Sequence, residues 1–196
     1  PDNESVRYVL SALTCIDQPL RAPVEYVRSL FDNYAKRFDG EVIEKLHYRV
    51  PQLLYAALKD RLLLLPSISI LDLGCGTGLC GAIFKSFAHR LVGIDISAEM
   101  IAISQEKAIY DETLESDLVE GMAHLNESFD LILAGDVFVY FGQLDEVFKE
   151  CAKHLLPKGL LAFTLETGDM APFELQKTGR YTHFSPDVFD SLTRAG

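Results

Sequence analysis

Apolar residues recur at helical spacing through the first third of the chain and then gather into short runs that end in acids. Between Asn3 and Leu13, Val6, Val9, Leu10 and Leu13 share one helical face, which predicts a short amphipathic helix with an apolar stripe to bury. From Pro23, a residue suited to a first helical turn, Val27, Leu30, Phe31, Tyr34 and Phe38 fall on one side as far as Asp39, a second helix. A third helical pattern passes through Leu46, Val50, Leu53, Leu54, Ala57 and Leu58, with Pro51 read as a break in it. Beyond Pro66 the period changes. Ser69 to Leu73, Leu91 to Asp95, Tyr110 to Asp117, Phe129 to Ala134 and Leu160 to Glu166 read as strands. The run at Phe129 is apolar enough for a central strand buried on both faces, and the run at Leu160 reads as a fifth buried strand after a turn over Leu155 to Gly159. Leu79, Ala82, Ile83 and Phe87 repeat at helical spacing, as do Leu144, Val147, Phe148, Cys151 and Leu155. Gly168 to Gly179 is polar and loop-like, and a last helix is expected from Pro186 to Arg194.

Strands alternating with helices imply an α/β, Rossmann-like fold, with a mainly parallel sheet, helices on both faces and right-handed crossovers. The organisation expected is an N-terminal helix (1–20), a helical cap (21–66) over the open carboxyl edge of the sheet, a core (67–167) and a substrate-side loop and helix (168–196). The chain, 196 residues long with 48% apolar and 24% charged residues, has room for one core of ordinary soluble composition. Its net charge of −11 and scattered Lys and Arg residues disfavour a nucleic-acid substrate. The longest apolar run, Leu62 to Leu65, is far too short to cross a bilayer, and no secretory signal is visible, so a soluble, cytoplasmic protein is expected. Cys15, Cys75, Cys80 and Cys151 form no metal-ligand spacing and point to a reducing compartment, with no metal expected.

Chemistry concentrates at Asp72-Leu73-Gly74-Cys75-Gly76-Thr77-Gly78. A buried strand, a glycine turn and a helix start let a ligand approach the backbone closely and suggest a nucleotide-like cofactor. The dinucleotide fingerprint places its third glycine one position later, where this chain has Leu79. Cys75 sits where a small side chain is needed, and packing is preferred over nucleophilic chemistry. Asp95, about twenty residues on, suits both ribose hydroxyls, or else caps the helix that follows, for which Ser97 is also a suitable N-cap.

With Asp-x-Gly-x-Gly-x-Gly, the chain resembles the class I S-adenosylmethionine-dependent methyltransferases. Leu-Phe-Asp-x-Tyr-Ala-x-x-Phe-Asp at Leu30, and Leu46-x-Tyr48-Arg49-x-Pro51, narrow the likeness to methyltransferases fused to tetratricopeptide repeats in bacteria, whose last repeat helix Pro1 to Leu13 would represent. The resemblance implies S-adenosyl-L-methionine as cofactor, S-adenosyl-L-homocysteine as product and a small-molecule acceptor; on the charge and apolar runs above, neither nucleic acid nor membrane is expected as a partner. It assigns to the cofactor the loop Asp72, Leu73, Gly74, Cys75, Gly76 and Gly78, then Asp95 for the ribose with Ile96 and Met100 also at the cofactor. Asp117 and Leu118 serve the adenine, and Gly135 and Asp136 the methionine part. Tyr34 and Phe38 would close over it, and Arg49 would hold the methionine carboxylate or pair with Glu41 or Glu44. Each of these acids also has a plain reading as a turn or cap residue. Phe138, Tyr140 and Phe141 line the methyl-transfer pocket or pack in the core. If an acceptor proton must be removed, Tyr34, Tyr140 and His183 are the candidates, His183 being equally a structural histidine. The family phrase Gly-Arg-Tyr-x-His-Ser is interrupted here by Phe184, and the family's closing antiparallel strand pair is expected to be incomplete. Two other activities stay open, a cofactor-binding module without turnover and a nicotinamide-dependent oxidoreductase.

Overall fold

A computed structural model of the protein describes all residues except Pro1, Asp2, Leu46, Pro66 and Ala171. The expectations attached to Pro1, Leu46 and Pro66 therefore lie outside the described residues. Five strands, β1 (Ile68–Leu73), β2 (Ala88–Asp95), β3 (Glu112–Glu115), β4 (Phe129–Ala134) and β5 (Leu155–Phe163), form one sheet in the order β3-β2-β1-β4-β5. Every pairing in it is parallel. The order reverses between β1 and β4, and in such sheets ligands bind outside the carboxyl ends of the strands at that point.

Side chains alternate across the sheet, so β1, β2, β4 and β5 each feed two cores. Ile70, Leu91, Leu131 and Leu133 pack beneath α3 (Val50–Leu62) and α4 (Leu79–Phe84) through Leu54, Leu58, Leu62 and Phe84. Leu71, Leu73, Val92, Ile94 and Ile132 face Met122 of α6 (Leu118–His124) and Phe148 of α7 (Asp145–Lys153). The helix after β2, α5 (Ala98–Glu106), packs against β3 and α2 (Val24–Gly40). Only α2 of the two cap helices covers the site; α3 lies on a sheet face, because its Leu54, Leu58 and Leu62 fill that core.

Four local expectations are corrected. Helix α1 (Glu4–Thr14) forms, but Val6, Val9, Leu10 and Leu13 are 42–55% exposed and Tyr8 and Ala12 are buried instead. The Tyr8 ring packs 4.9 Å from Tyr26 and its hydroxyl donates to the Gly179 carbonyl at 2.9 Å, and this fixes which face turns inward. Pro51 opens α3 rather than breaking a helix, since its missing N–H is harmless in a first turn, and Leu53 and Ala57 point outward. Leu155 to Gly159 belongs to β5 as an irregular stretch with Lys158 at φ 70°, and β5 is a half-buried edge strand ending at Phe163. Finally, the loop-like tail contains β7 (Phe173–Leu175), which pairs antiparallel with β8 (Tyr181–His183) beside β6 (Glu166–Thr167) in a separate small sheet ahead of α8 (Ser185–Ala195). That pairing does not extend the central sheet. Among the described residues no helix is long and apolar enough to cross a membrane.

Candidate active site

A cavity of about 320 Å³ opens at the carboxyl edge of the sheet beneath α2, at the switch point. Its floor is the turn after β1. Gly74, Gly76 and Gly78 all have positive φ. At Gly74 a Cβ would stand 2.3 Å from Val137 Cγ2, so the turn needs glycine for space as well as for conformation. At Gly76 a Cβ would meet nothing within 4 Å, because that face of the backbone looks into the cavity.

Asp95 ends β2 and is only 7% exposed. One carboxylate oxygen accepts from the Gly76 N–H and the other from the Ser97 N–H, both at 2.8 Å. Burial pushes its pKa up to about 6, against the pull of those N–H groups. Asp117 caps α6, accepting from the Val119 N–H at 3.2 Å, and pairs with Arg21 at 2.5 Å. Asp136 follows β4 with φ 63°, a conformation that aspartate tolerates, and its N–H donates to Thr164 Oγ1. Its carboxylate pairs with Arg180, which also holds Glu166 at 2.5 Å and lies 5.8 Å over the Tyr140 ring.

Two aspartates of α2 tie the cover down. Asp32 accepts from Ser97 Oγ at 2.6 Å. Asp39 accepts from Thr77 Oγ1 and from Lys107, and Lys107 also donates to the Thr77 carbonyl at 2.8 Å. The cap is thus bound to the glycine turn itself.

Of the residues singled out from sequence, Tyr34, Phe38, Gly74, Cys75, Gly76, Asp95, Ile96, Met100, Asp117, Leu118, Gly135, Asp136 and Tyr140 line this one cavity. Asp72, Leu73, Gly78 and Arg49 do not. Asp72 is buried below the turn, where it accepts from the Tyr110 hydroxyl at 2.6 Å and burial pushes its pKa up to about 7. The Leu73 side chain is core, Gly78 abuts Ile109 where α4 begins, and Arg49 is exposed just ahead of α3. His183 is 2% exposed and outside the lining, with Nε2 bonded to the Phe141 carbonyl at 2.8 Å and burial depressing its pKa. A role as base at the cavity is therefore corrected to a structural one. Burial raises the Tyr34 and Tyr140 phenols, Tyr140 to about 12, so both are donors rather than bases near neutrality. Burial also lifts the Cys75 thiol far above its ordinary range, as expected of a packed cysteine. Phe138 is core, whereas Phe141 joins the lining. Arg21, Tyr48 and Arg180 were missed. Each stands outside any apolar period, and only the short phrases around Tyr48 and Arg180 hinted at them.

Residues 71–163, which carry most of the central sheet, the glycine turn and the acids Asp95, Asp117 and Asp136, match the family described as methyltransferase domain. Over that stretch, just under half of its length, the chain is similar to the methyltransferase domain family. The malonyl-[acyl-carrier protein] O-methyltransferase of Bacillus cereus is 31% identical over 137 residues, 66% of this chain and 51% of that one. The ubiquinone biosynthesis O-methyltransferase of Nitrobacter winogradskyi is 34% identical over 101 residues, 50% of this chain and 38% of that one. The chain thus spans about half, or less, of the curated relatives it matches. Magnesium protoporphyrin IX methyltransferase from Synechocystis PCC 6803 with bound SAH has a TM-score of 0.70 over 89% of each chain at 17% identity. The [4+2]-cyclase SpnF has a TM-score of 0.61 at 22% identity, over 76% of this chain and 57% of that one. At such identities the likeness is one of fold. The residues of the cavity suit S-adenosylmethionine as cofactor: an open backbone face at Gly76, and an Asp95 carboxylate with acceptor capacity left on both oxygens.

Proposed function

We propose that the chain transfers the methyl group of S-adenosylmethionine to a small, largely apolar acceptor. The observation that carries this reading is the convergence of the Gly76 face, Asp95, Asp117 and Asp136 on one cavity whose remaining wall includes Phe31, Tyr34, Phe38, Tyr48 and Tyr140. The cofactor brings an already activated sulfonium, so the protein's task is to align the acceptor and exclude water rather than to move many protons. Asp95 would take the ribose hydroxyls, Asp117 the adenine amine and Asp136 the methionine end, with Tyr34 and Phe38 closing over them. In this assignment the α2 part of residues 21–66 acts as cap, and residues 168–196, which contribute Arg180, act as the substrate side. The third glycine at Gly78 and the family match both run against a nicotinamide-dependent reaction. The exposed face of α1 supports residues 1–20 as the close of a tetratricopeptide-type helical region, and the unpaired cysteines among the described residues support a cytoplasmic setting.

The test is calorimetry of S-adenosylmethionine and S-adenosylhomocysteine on the purified chain, followed by mass spectrometry of an acceptor panel incubated with methyl-labelled cofactor. Micromolar binding and a labelled product are expected. Failure to bind either compound at millimolar levels refutes the reading. Binding without product across the panel favours a module that holds the cofactor without turnover.

A further inference from the structure

The segment ahead of α2 is strapped against the rest of the fold, and its Arg21 and Ala22 line the cavity. Ala22 N–H donates to the Tyr140 carbonyl, and the Gly142 and Gln143 N–H groups donate to the Leu20 carbonyl, all at 2.8 Å. Arg21 forms an antiparallel bridge with Phe141. Just upstream, the Pro19 carbonyl accepts from Tyr181 Oη at 2.7 Å and the Gln18 side chain accepts from the Leu175 N–H at 2.8 Å. The backbone at Arg21 is therefore fixed from both ends.

From this fixed point the Arg21 side chain reaches into the cavity lining, lies 5.3 Å over the Phe141 ring and pairs with Asp117 Oδ2. Asp117 Oδ1 is meanwhile taken by the Val119 N–H. A carboxylate has about four acceptor sites, so these two bonds hold both oxygens in place and still leave room for a donor from the cavity. An exposed ion pair contributes little stability. This one joins two residues of the same cavity wall, and the Asp117 side chain is only 13% exposed.

We propose that Arg21 is a positioning residue for recognition of the cofactor's base: it clamps Asp117 so that the carboxylate accepts from an exocyclic amine and rejects a carbonyl at the same place. This rests on the reading of the cavity as an adenosyl site. Without the clamp, Asp117 keeps only its 3.2 Å bond to the helix start and is free to turn toward it. The base would then be held by shape and apolar contact alone, which discriminate weakly between an amine and a carbonyl.

The experiment compares S-adenosylhomocysteine with S-inosylhomocysteine, in which a carbonyl replaces the 6-amino group, by calorimetry on the wild type, Arg21→Met and Arg21→Lys. Melting curves report folding of each variant. The wild type is expected to prefer the adenosyl compound by at least about tenfold. Arg21→Met should lose most of that preference through weaker adenosyl binding, with inosyl binding changed less than about twofold, and Arg21→Lys should restore much of it. Equal weakening of both compounds, or an unchanged preference in Arg21→Met, overturns the proposal and leaves Arg21 as a strap anchor. A wild type that binds neither compound refutes the adenosyl reading itself, which the first titration settles before any variant is measured.

Discussion

Asp95 makes two opposite pH dependences that can be measured on one protein. Its folded pKa of about 6 lies above the ordinary 3.8, because burial outweighs the bonds from Ser97 and Gly76. A carboxyl group raised in the folded state stabilises the fold relative to its ionised form below pH 4, and that contribution is lost as pH rises through 6. At about 1.4 kcal/mol per unit, the loss is about 3 kcal/mol for this nearly inaccessible group. In the proposed assignment the ribose hydroxyls donate to the ionised carboxylate, so affinity should move the other way. Between pH 7 and pH 5 the free protein becomes mostly protonated at Asp95, and S-adenosylhomocysteine should bind about tenfold more weakly at pH 5. The ligand's own α-amino group titrates above this window. Calorimetry from pH 5 to 7.5 reads the affinity, and urea denaturation reads the stability. Asp95→Asn removes the titration and should flatten the affinity profile. Asp95→Ala should cost about 1–3 kcal/mol of binding by orphaning the N–H groups of Gly76 and Ser97 and the ribose hydroxyls. A wild-type dissociation constant that is flat from pH 5 to 7.5, or a slope that survives in Asp95→Asn, would refute the reasoning.

Two further outcomes follow from neighbouring residues. Gly74→Ala and Gly76→Ala share a positive φ but differ in surroundings: the first meets Val137 at 2.3 Å and the second meets open cavity. Denaturation should show a loss of at least about 2 kcal/mol for Gly74→Ala and about 1 kcal/mol for Gly76→Ala, with the larger loss of cofactor affinity in Gly76→Ala; the reverse order would contradict the geometry. Tyr110→Phe removes the 2.6 Å bond to Asp72 and should cost about 1–3 kcal/mol above pH 8, less below pH 6 where that carboxyl is protonated, given its pKa of about 7. Neither residue lines the cavity, so cofactor affinity should not change; a penalty independent of pH would count against the buried carboxylate as its source.

The chain pattern alone was sufficient for the three inner strands of the central sheet, since strands buried on both faces must be apolar throughout, and for the glycine turn at the floor of the cavity; the edge strands β3 and β5 are only partly buried and their bounds shifted. Ser69 to Leu73, Leu91 to Asp95 and Phe129 to Ala134 therefore read correctly, and the acids at or just beyond strand ends became candidates because position along the strand decides which edge a residue occupies. What the pattern could not give was any contact between distant segments. The inward face of α1 was misread because Tyr8 meets Tyr26 and Tyr181, far away in sequence, while four better apolar residues stay exposed. Arg21, Tyr48 and Arg180 enter the cavity from the strap, the region between α2 and α3, and the small C-terminal sheet. Their placement depends on backbone bonds that leave no periodic trace. Asp72 shows the same limit from the other side: a carboxylate beside the glycine turn looked like a ligand contact, and only packing against Tyr110 put it beneath the turn. Local patterning determined the scaffold and its binding edge, because those follow from chain-neighbour periodicity. Tertiary packing decided which charges meet there, because that depends on which segments the folded chain brings into register.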